Sequence, residues 1–419
     1  MTVFIILLFI VGYTLIVLEE LHSLDKTVPA LFMAVGLWTI IALNDKNGVW
    51  ESSLTLHFSH ICEVLIFLLG AMTVVELIDL HKGFEIITHR LGTRKPVYLL
   101  WQVAIVSFLL SGVLDNLTTA FVMVSVLRKL LPNGDTRKYL AGFVIIAANA
   151  GGAWSPIGDV TTTMLWTAGK VSAGGLVWHV FLPSLACLTV PCLLATRTMR
   201  RATVTALPRN ADEDTVEEQI YGSKTMFFTG ITALLFVPVW HLYTGLPPYM
   251  GMLGGLAGCW LVGEGINTKR EHDDRDRYSV HYAMSRIEIS TLLFFLGILL
   301  SVAALEEVGL LRRLADISKT YLQSDWLVAT VIGFCSAVID NVPLVAAAIG
   351  AYTPPPDDLL WQIIAYCAGT GGSIFIIGSA AGIAVMSAEK ISFGWYLRQM
   401  SGLALAGYLS GVLVFWLLH

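Results

Sequence analysis

The amino-acid sequence predicts an all-α polytopic membrane protein made of two inverted repeats, each with five spanning helices and one re-entrant helical hairpin. Of the 419 residues, 56% are hydrophobic and only 14% are charged, whereas about a quarter of the residues are charged in an average globular protein. Apolar runs of about 17 residues or more recur along the chain, the length that a membrane-spanning helix needs.

A second observation is a pair of polar motifs inside long apolar segments. Ser111-Gly-Val-Leu-Asp115-Asn116 and Ser336-Ala-Val-Ile-Asp340-Asn341 share the spacing Ser-x-x-x-Asp-Asn at an offset of 225 residues. Two such motifs at one offset predict two copies of one design, which we place at residues 1–210 and 211–419. An ionisable side chain at membrane depth is costly, so each motif indicates a functional site.

Two glutamates follow the same repeat. Glu63 and Glu288 each lie 52 positions before the aspartate of their own repeat. Each also lies near the start of a predicted span. Two interpretations therefore stay open for both, a role in proton transfer and a structural role at the membrane interface.

The first repeat is predicted to contain an interfacial helix and a hairpin besides its spans. Residues 80–96 mix basic and apolar residues, as an amphipathic helix on the membrane surface does. The run at about 97–131 carries Gly112 and the Asp115-Asn116 pair near its centre, which predicts a re-entrant hairpin with that pair at its tip. A single span with a buried aspartate is the alternative. The spans are predicted at about 2–18, 27–43, 60–79, 139–168 and 175–196.

Two predicted spans, one in each repeat, contain residues that interrupt a helix. The segment Asn149-Ala-Gly-Gly-Ala-Trp-Ser155-Pro-Ile-Gly-Asp159 combines three glycines and a proline, and we expect it to be unwound. The segment Gly369-Thr370-Gly-Gly-Ser373-Ile-Phe-Ile-Ile-Gly-Ser379 repeats its Gly-Gly-x5-Gly spacing. The two segments differ chemically, because Ser379 stands at the repeat position of Asp159.

The second repeat follows the same plan. A hairpin is predicted at about 326–352, with Asp340-Asn341 at its tip. A semi-polar helix precedes it and carries Glu306, Glu307, Arg312, Arg313 and Lys319. The spans are predicted at about 225–243, 248–263, 289–305, 361–387 and 393–418.

The distribution of basic residues predicts the orientation. The loops at 197–224 and 269–286 hold several arginines, while the turn 244–249 between them is uncharged, so both loops are expected in the cytoplasm. Both termini then lie outside, and the two hairpins enter the membrane from opposite sides. Inverted repeats with broken helices are typical of secondary transporters, whose substrate site lies where those helices meet.

The polar residues at the hairpin tips suit a small cation that exchanges with protons. Asp115 and Asp340 attract a cation when ionised and release it when protonated, so competition for one carboxylate is enough to couple the two fluxes. Asn116 and Asn341 can add neutral oxygens, and hydroxyl groups can complete the shell of a hard ion. The alternative is that these side chains only satisfy broken helix ends. The hydroxyl candidates are Thr118, Thr119, Ser111, Ser336, Ser155, Thr370 and Ser373.

Two further polar residues of the interrupted segment each have two interpretations. Asp159 follows the glycine–proline break and is either an ion ligand or the cap of the helix that resumes after it. Asn149 is either a ligand or a residue that holds the unwound turn.

Together these motifs resemble NhaD-type sodium/proton antiporters of the ion transporter superfamily. The resemblance rests on Leu114-Asp-Asn-Leu-Thr-Thr-Ala120, the segment 149–159, Ile339-Asp-Asn-Val-Pro343 and Gly369-Thr-Gly-Gly-Ser373, and it covers nearly the whole chain. Relatives that carry dicarboxylates with sodium have Ser-Asn-Thr at the hairpin tips. In this sequence Asp stands in the serine position of both tips.

The resemblance implies a dimer-forming scaffold domain and an elevator-type transport domain that holds both hairpins. It implies a homodimer in the lipid bilayer of a bacterial inner membrane that exports Na+ or Li+ in exchange for H+, with no enzymatic activity, cofactor or nucleic-acid partner. The cation is expected at Asp115, Asn116, Asp340 and Asn341. The other positions carried over are Asn149 and Asp159, followed by Ser111, Ser336, Glu63 and Glu288.

Two other functions compete with this prediction. An anion transporter for arsenite or a carboxylate belongs to the same superfamily. Two acidic tips count against an anionic substrate, since no basic residue lies in the apolar part of either hairpin. A membrane enzyme or sensor is the third class, and the sequence contains no His-rich zinc pattern, nucleophile motif or nucleotide-binding loop that would support it.

Overall fold

The described part of the chain is built from α-helices and one short 3-10 turn, in agreement with the predicted all-α class. The computed structural model describes residues 2–17, 24–45, 48–88, 91, 95–200, 221–268, 275–322, 324–376 and 378–419. Most of the predicted loop 197–224 lies outside these ranges. So do residues 269–274 of the second predicted loop.

The helices before residue 200 include the predicted first hairpin as two separate helices. This first hairpin consists of α5 and α6, joined by a turn at residues 112–115. The helices are α1 (Thr2–Val17), α2 (Thr27–Asn44), α3 (Val49–Leu80), α4 (Glu85–Thr88), α5 (Pro96–Ser111), α6 (Asn116–Leu130), α7 (Asp135–Ala153), α8 (Val160–Thr167) and α9 (Ala173–Met199).

The helices after residue 220 include the predicted second hairpin. This second hairpin consists of α15 and α16, joined by residues 337–340. The helices are α10 (Ser223–Thr244), α11 (Pro248–Asn267), α12 (Val280–Arg286), α13 (Ile289–Glu307), α14 (Leu310–Leu322), α15 (Asp325–Ser336), α16 (Asn341–Ala351), α17 (Leu359–Gly371), α18 (Ala380–Glu389), α19 (Phe393–Gln399) and α20 (Ser401–Leu418).

Three predicted boundaries are wrong. Helix α3 begins at Val49 rather than near residue 60, because residues 49–59 contain no glycine or proline that would end it. The amphipathic helix expected over 80–96 does not start there, since Lys82 takes a left-handed conformation (φ 52°) and residues 81–84 form a turn. The last predicted span is divided at Met400 into α19 and α20.

Helix length separates the elements into two groups. Among the described residues, six helices are long and apolar enough to cross a membrane, namely α2, α3, α9, α10, α13 and α20. Five apolar helices are shorter, at 10 to 17 residues, and they are α1, α5, α15, α16 and α18. Four of these five belong to the hairpins and to an interrupted helix, as expected for elements that stop partway through a membrane.

The two hairpins interlock the halves of the chain. The first arm of each hairpin packs within its own half, α5 on α7 and α15 on α17. The second arms cross over, because α6 packs on α18 and α16 packs on α8. A separate group of long helices packs around this core, with α2 on α13, α3 on α11 and α9 on α20. The ends of both hairpins therefore meet the interrupted helices of both halves.

Candidate functional site

The two interrupted helices and the two hairpin tips bring six polar side chains together. Helix α7 stops at Ala153 and α8 starts after Asp159, while α17 stops at Gly371 and α18 starts after Ser379. Asn116 and Asn341 begin the second arms of the hairpins. The buried hydrogen-bonded group formed here, called the central network, consists of Asn116, Asn149, Asp159, Asn341, Ser373 and Ser379.

Asp159 is the acceptor at which both hairpins meet. Asp159 is buried, with a relative exposure of only 2%. Asn116 Nδ2 of the first hairpin donates to Asp159 Oδ2 at 2.8 Å, and Asn341 Nδ2 of the second hairpin donates to both carboxylate oxygens at 3.2 and 3.3 Å. The carboxylate also caps α8, since Thr161 donates its backbone N–H and its hydroxyl to Oδ1, each at 2.9 Å. The predicted helix-cap role of Asp159 is thus confirmed, whereas its role as an ion ligand stays a prediction.

Asn149 joins the network of the first half to the second interrupted helix. Its Oδ1 accepts from Asn116 Nδ2 at 3.0 Å. Its Nδ2 donates to the hydroxyl oxygens of Ser373 at 2.9 Å and Ser379 at 3.0 Å. The prediction that Asn149 lies in an unwound segment is wrong, because α7 continues to Ala153 and only residues 154–159 leave the helix.

Asp115 and Asp340 cap the second arms of their own hairpins. Asp115 accepts from the backbone N–H of Thr118 at 2.8 Å and from its hydroxyl at 2.5 Å. Asp340 Oδ1 accepts from the backbone N–H of Val342 at 3.1 Å. Both residues are half-buried, whereas Asp159 is buried. Both side chains therefore satisfy the ends of broken helices, which was the alternative to a role in cation binding; that role stays a prediction.

One serine and one glycine fix each hairpin against the interrupted helix of its own half. Ser111 Oγ donates to Ala148 O at 2.6 Å, and Ser336 Oγ donates to Ala368 O at 2.7 Å. A Cβ at Gly158 would lie 2.5 Å from Ser111 O, and one at Gly378 would lie 2.1 Å from Ser336 O. Only glycine permits this approach, so the last glycine of each Gly-Gly-x5-Gly motif sets the distance between tip and break.

The remaining hydroxyl candidates divide into one without a hydrogen-bond partner among the described residues and two with local partners. Thr119 is fully buried one turn after Asp115, and its Oγ1 has no hydrogen-bond partner among the described residues. Ser155 Oγ accepts from the backbone N–H of Ile157 at 3.4 Å, and Thr370 Oγ1 donates to Tyr366 O at 2.6 Å within α17. Ser155 and Thr370 therefore have local structural partners.

The two repeat-related glutamates lie apart from the central network. Glu63 lies in the middle of α3, after its polar and mostly exposed first turns. Glu288 is exposed just before α13 and accepts from Thr291 Oγ1 at 3.0 Å. Within the described ranges, no hydrogen bond joins either glutamate to the network.

The donor groups of this site suit a hard cation. Carboxylate, amide and hydroxyl oxygens are the ligands that such ions prefer. The ion pairs of the described residues involve Glu76, Asp79, Glu85 and Glu389, and none involves Asp115, Asp159 or Asp340. The negative charge of the site is therefore not balanced by a lysine or arginine within the described part of the chain.

Sequence reasoning missed two residues of the site. Ser379 was noted only as the repeat partner of Asp159, yet it accepts from Asn149 and caps α18. Thr161 supplies two of the hydrogen bonds to Asp159. The signal for both was present, because a side chain at a helix N-cap accepts from an N–H two or three residues later.

Comparison with known proteins places the chain among membrane transporters. A family model described as "Citrate transporter" (CitMHS) matches residues 13–363. Sodium/proton antiporter 1 of Arabidopsis thaliana is 46% identical over 99% of this chain and 72% of its own length. The Na(+)/H(+) antiporter NhaD of Vibrio cholerae is 31% identical over 99% of this chain and 91% of its own.

A solved structure supports the fold independently of sequence. The YdaH transporter of Alcanivorax borkumensis, described as having an unusual topology, superposes with a TM-score of 0.59. The alignment covers 94% of this chain and 98% of that one, at 14% sequence identity. At this identity the likeness concerns the fold alone.

Proposed function

This chain belongs to the citrate transporter family CitMHS, and we propose that it is a secondary active transporter that exchanges Na+ or Li+ for H+. The relatives named sodium/proton antiporters support the choice of ions. The observation that carries the proposal is the position of Asp159, a buried carboxylate that accepts hydrogen bonds from both hairpins and forms no ion pair among the described residues.

The chemistry of Asp159 explains the coupling of the two ions. A buried carboxylate without a cationic neighbour is costly in its ionised form, so it is neutralised either by a proton or by a bound cation. The two states exclude each other. One Na+ that binds at Asp159 displaces the proton from that carboxylate, and the proton leaves on the side from which the cation enters.

The two hairpin amides complete the exchange. In this structure Asn116 and Asn341 both direct Nδ2 towards Asp159. An asparagine amide carries an oxygen acceptor and a nitrogen donor of nearly the same shape. Rotation of each amide by half a turn therefore directs two neutral oxygens at a cation beside Asp159, without movement of either hairpin backbone. The Asn149 amide turns with Asn116, so that its Nδ2 donates to the Asn116 oxygen while the Ser373 and Ser379 hydroxyls donate to its Oδ1.

Asp115 and Asp340 have a related role in this proposal. They are half-buried and cap the hairpin arms, so each offers charge at the edge of the site rather than at its centre. We place the cation between the tip residues Asp115, Asn116, Asp340 and Asn341, with Asp159 as the titrating carboxylate that all of them surround.

The proposed architecture is that of two inverted repeats at residues 1–210 and 211–419. The crossing contacts of α6 with α18 and of α16 with α8 support a shared transport domain that contains both re-entrant hairpins. The long helices α2, α3, α10, α11 and α13 supply the scaffold in this proposal, and a homodimer forms through them. Both termini lie outside a bacterial inner membrane, and the hairpins enter from opposite sides.

Transport of a carboxylate anion is the second candidate, because the family model is described as a citrate transporter. A citrate site needs positive charge to balance its substrate. The central network instead presents one aspartate, three asparagines and two serines, and no described lysine or arginine is hydrogen-bonded to it. The chemistry of this site therefore favours a cation.

Everted membrane vesicles test the two candidates directly. Vesicles from a bacterial strain without its own sodium/proton antiporters are acidified by respiration and followed with a pH-sensitive dye. Addition of NaCl or LiCl should release protons, whereas choline chloride should not. Release of protons by citrate with choline as counter-ion, and none by NaCl, would instead support the anion carrier.

A further inference from the structure

Glu389 forms an ion-pair cluster with two arginines at the ends of α6, α7 and α18 that lie away from the central network. The Glu389 side chain is fully buried (0% exposed). Arg128 Nε donates to Oε1 at 2.8 Å, and Arg137 Nε donates to Oε2 at 2.7 Å. The arginines make further contacts, Arg128 with Ala388 O and Arg137 with Leu131 O. These three residues are called the Glu389 cluster.

The Glu389 cluster joins three helices whose other ends carry the central network. Arg128 lies in the last turn of α6, which begins at Asn116. Arg137 lies in the first turn of α7, which contains Asn149 near its end. Glu389 ends α18, which is capped by Ser379. The cluster thus fixes the ends of α6, α7 and α18 opposite to the ends that form the site.

The start of α17, which corresponds to the start of α7 in the other half, is held in a different way. Asp357 precedes α17, and its Oδ1 accepts from the backbone N–H of Ser172 at 2.6 Å and from Gln362 Nε2 at 3.2 Å. Its own backbone N–H donates to Lys170 O at 2.9 Å. These contacts use the main chain and an amide, so the hairpin arm α16 is held by no comparable buried ion pair within the described residues.

A buried carboxylate between two guanidinium groups is sensitive to loss of either partner. In a low-dielectric environment, the attraction between two charges offsets the cost of their desolvation only when the geometry is good and the remaining hydrogen bonds are made. Here each carboxylate oxygen accepts from a different arginine, and each arginine has a main-chain acceptor as well. Separation of α6 from α18 would take the half-exposed Arg128 (49%) away from one oxygen of the buried carboxylate and leave only Arg137 paired with it, so this contact favours an arrangement in which the two helices move together.

From this geometry we infer that Glu389, with Arg128 and Arg137, is a positioning group for the cation site. It holds the return arm of the first hairpin on the interrupted helix of the opposite half, so that Asn116 and Ser379 stay within hydrogen-bond distance of Asn149 throughout the cycle. This inference rests on the proposed function, since its effect is expressed in the affinity for the transported cation.

Loss of positioning has a signature distinct from loss of titration. Asn116 contributes a neutral oxygen to the proposed site, so its displacement weakens the binding of Na+ but leaves Asp159 able to exchange its proton. The apparent KM for Na+ should therefore rise, while the rate at saturating Na+ changes little. A change at Asp159 itself removes the rate.

The test compares Glu389→Gln with Asp357→Asn as the matched control at the start of α17. In everted vesicles, Glu389→Gln should raise the KM for Na+ about tenfold with less than about a twofold loss of maximal rate, and Glu389→Asp should restore most of the affinity. Asp357→Asn should change the KM by less than about twofold. An unchanged KM in Glu389→Gln, or an equal rise in Asp357→Asn, would overturn the inference.

Two further measurements keep the result decisive. If Glu389→Gln fails to insert, Arg137→Lys keeps the charge but loses the Nε contact, and it should raise the KM about threefold; no rise would overturn the inference. Backbone hydrogen exchange of purified protein should show α6 and α18 less protected in the variant, whatever the transported ion is. Wild-type vesicles without Na+-driven proton movement, combined with this loss of protection, would reject the proposed function and keep the positioning role.

Discussion

Asp159 and Ser379 occupy the same position in the two interrupted helices and differ in one respect. Both are N-caps with nearly the same backbone, φ −148° and ψ 147° for Asp159 against φ −143° and ψ 145° for Ser379. Both follow the last glycine of their motif, and both belong to the central network. Only Asp159 has an ionisable side chain. The repeated backbone therefore supplies the geometry of the site twice, whereas one half supplies its buried titratable group.

The largest expected effect follows from removal of that group. Asp159→Asn keeps the volume and a capping oxygen but cannot titrate, so Na+-driven proton movement should fall by on the order of 100-fold or more. Ser379→Ala loses only a hydroxyl cap, which is worth about 1 kcal/mol, and exchange should fall by about two- to fivefold. Initial rates in everted vesicles measure both. Comparable losses in the two variants would show that the halves contribute alike.

The hairpin tips come next in expected size. Asp115→Asn and Asp340→Asn each keep a side chain that can cap a helix while they remove charge at the edge of the site, and each should reduce exchange by about tenfold or more. Membrane insertion should be unchanged, as judged by the amount of protein in detergent extracts. Full activity in both variants would leave Asp159 as the sole carboxylate of the mechanism.

The pH dependence of sodium affinity sharpens the comparison. Na+ and one proton compete for Asp159 in our proposal, so the apparent KM for Na+ should rise as the pH falls, by at most about tenfold for each pH unit. Ser379→Asp places a second carboxylate at the equivalent cap, and the dependence should become steeper than tenfold per unit. Measurement of KM at several pH values checks the slope. An unchanged slope in Ser379→Asp would mean that position 379 does not face the cation.

The smallest expected effect concerns a single hydroxyl. Thr119 Oγ1 is buried without a described partner, so Thr119→Val should leave the free energy of unfolding unchanged or raise it by up to about 1 kcal/mol. The KM for Na+ should rise about threefold if this oxygen binds the ion, since one neutral ligand contributes roughly 0.5–1.5 kcal/mol. Thr370→Val is the control, because its hydroxyl bonds within α17. Equal KM values for Thr119→Val and wild type would remove Thr119 from the site.

The sequence predicted the elements of the fold better than their boundaries. Apolar runs located α2, α9 and α10 to within about four residues, since a helix that crosses a membrane needs a fixed length. The start of α3 was missed because its first turns are polar and no residue breaks the helix there. The division at Met400 was missed because the helix is interrupted there without a glycine or proline at the break.

The sequence predicted which residues belong to the candidate site but not which of them contact one another. Asn116, Asn149, Asp159 and Asn341 were all candidates, and their motif spacing placed them at helix breaks. The spacing could not show that the amides of Asn116 and Asn341 turn inwards to Asp159 while Asp115 and Asp340 turn back onto their own helices. That choice depends on the backbone at each tip, which is fixed by contacts between distant segments such as Gly378 and Ser336.

The crossing of the hairpin arms has a consequence for the synthesis of the protein. Arg128 reaches its partner Glu389 across 261 positions of the chain. At a translation rate of about 5–20 residues per second, the return arm of the first hairpin waits on the order of 10–50 seconds before α18 emerges from the ribosome. During that time the first half holds a polar hairpin tip and two arginines in or beside the membrane without their partners. The proposed cation site is therefore completed late, and a chain that stops short of α18 lacks the helix that Ser379 caps and the glutamate that pairs with both arginines.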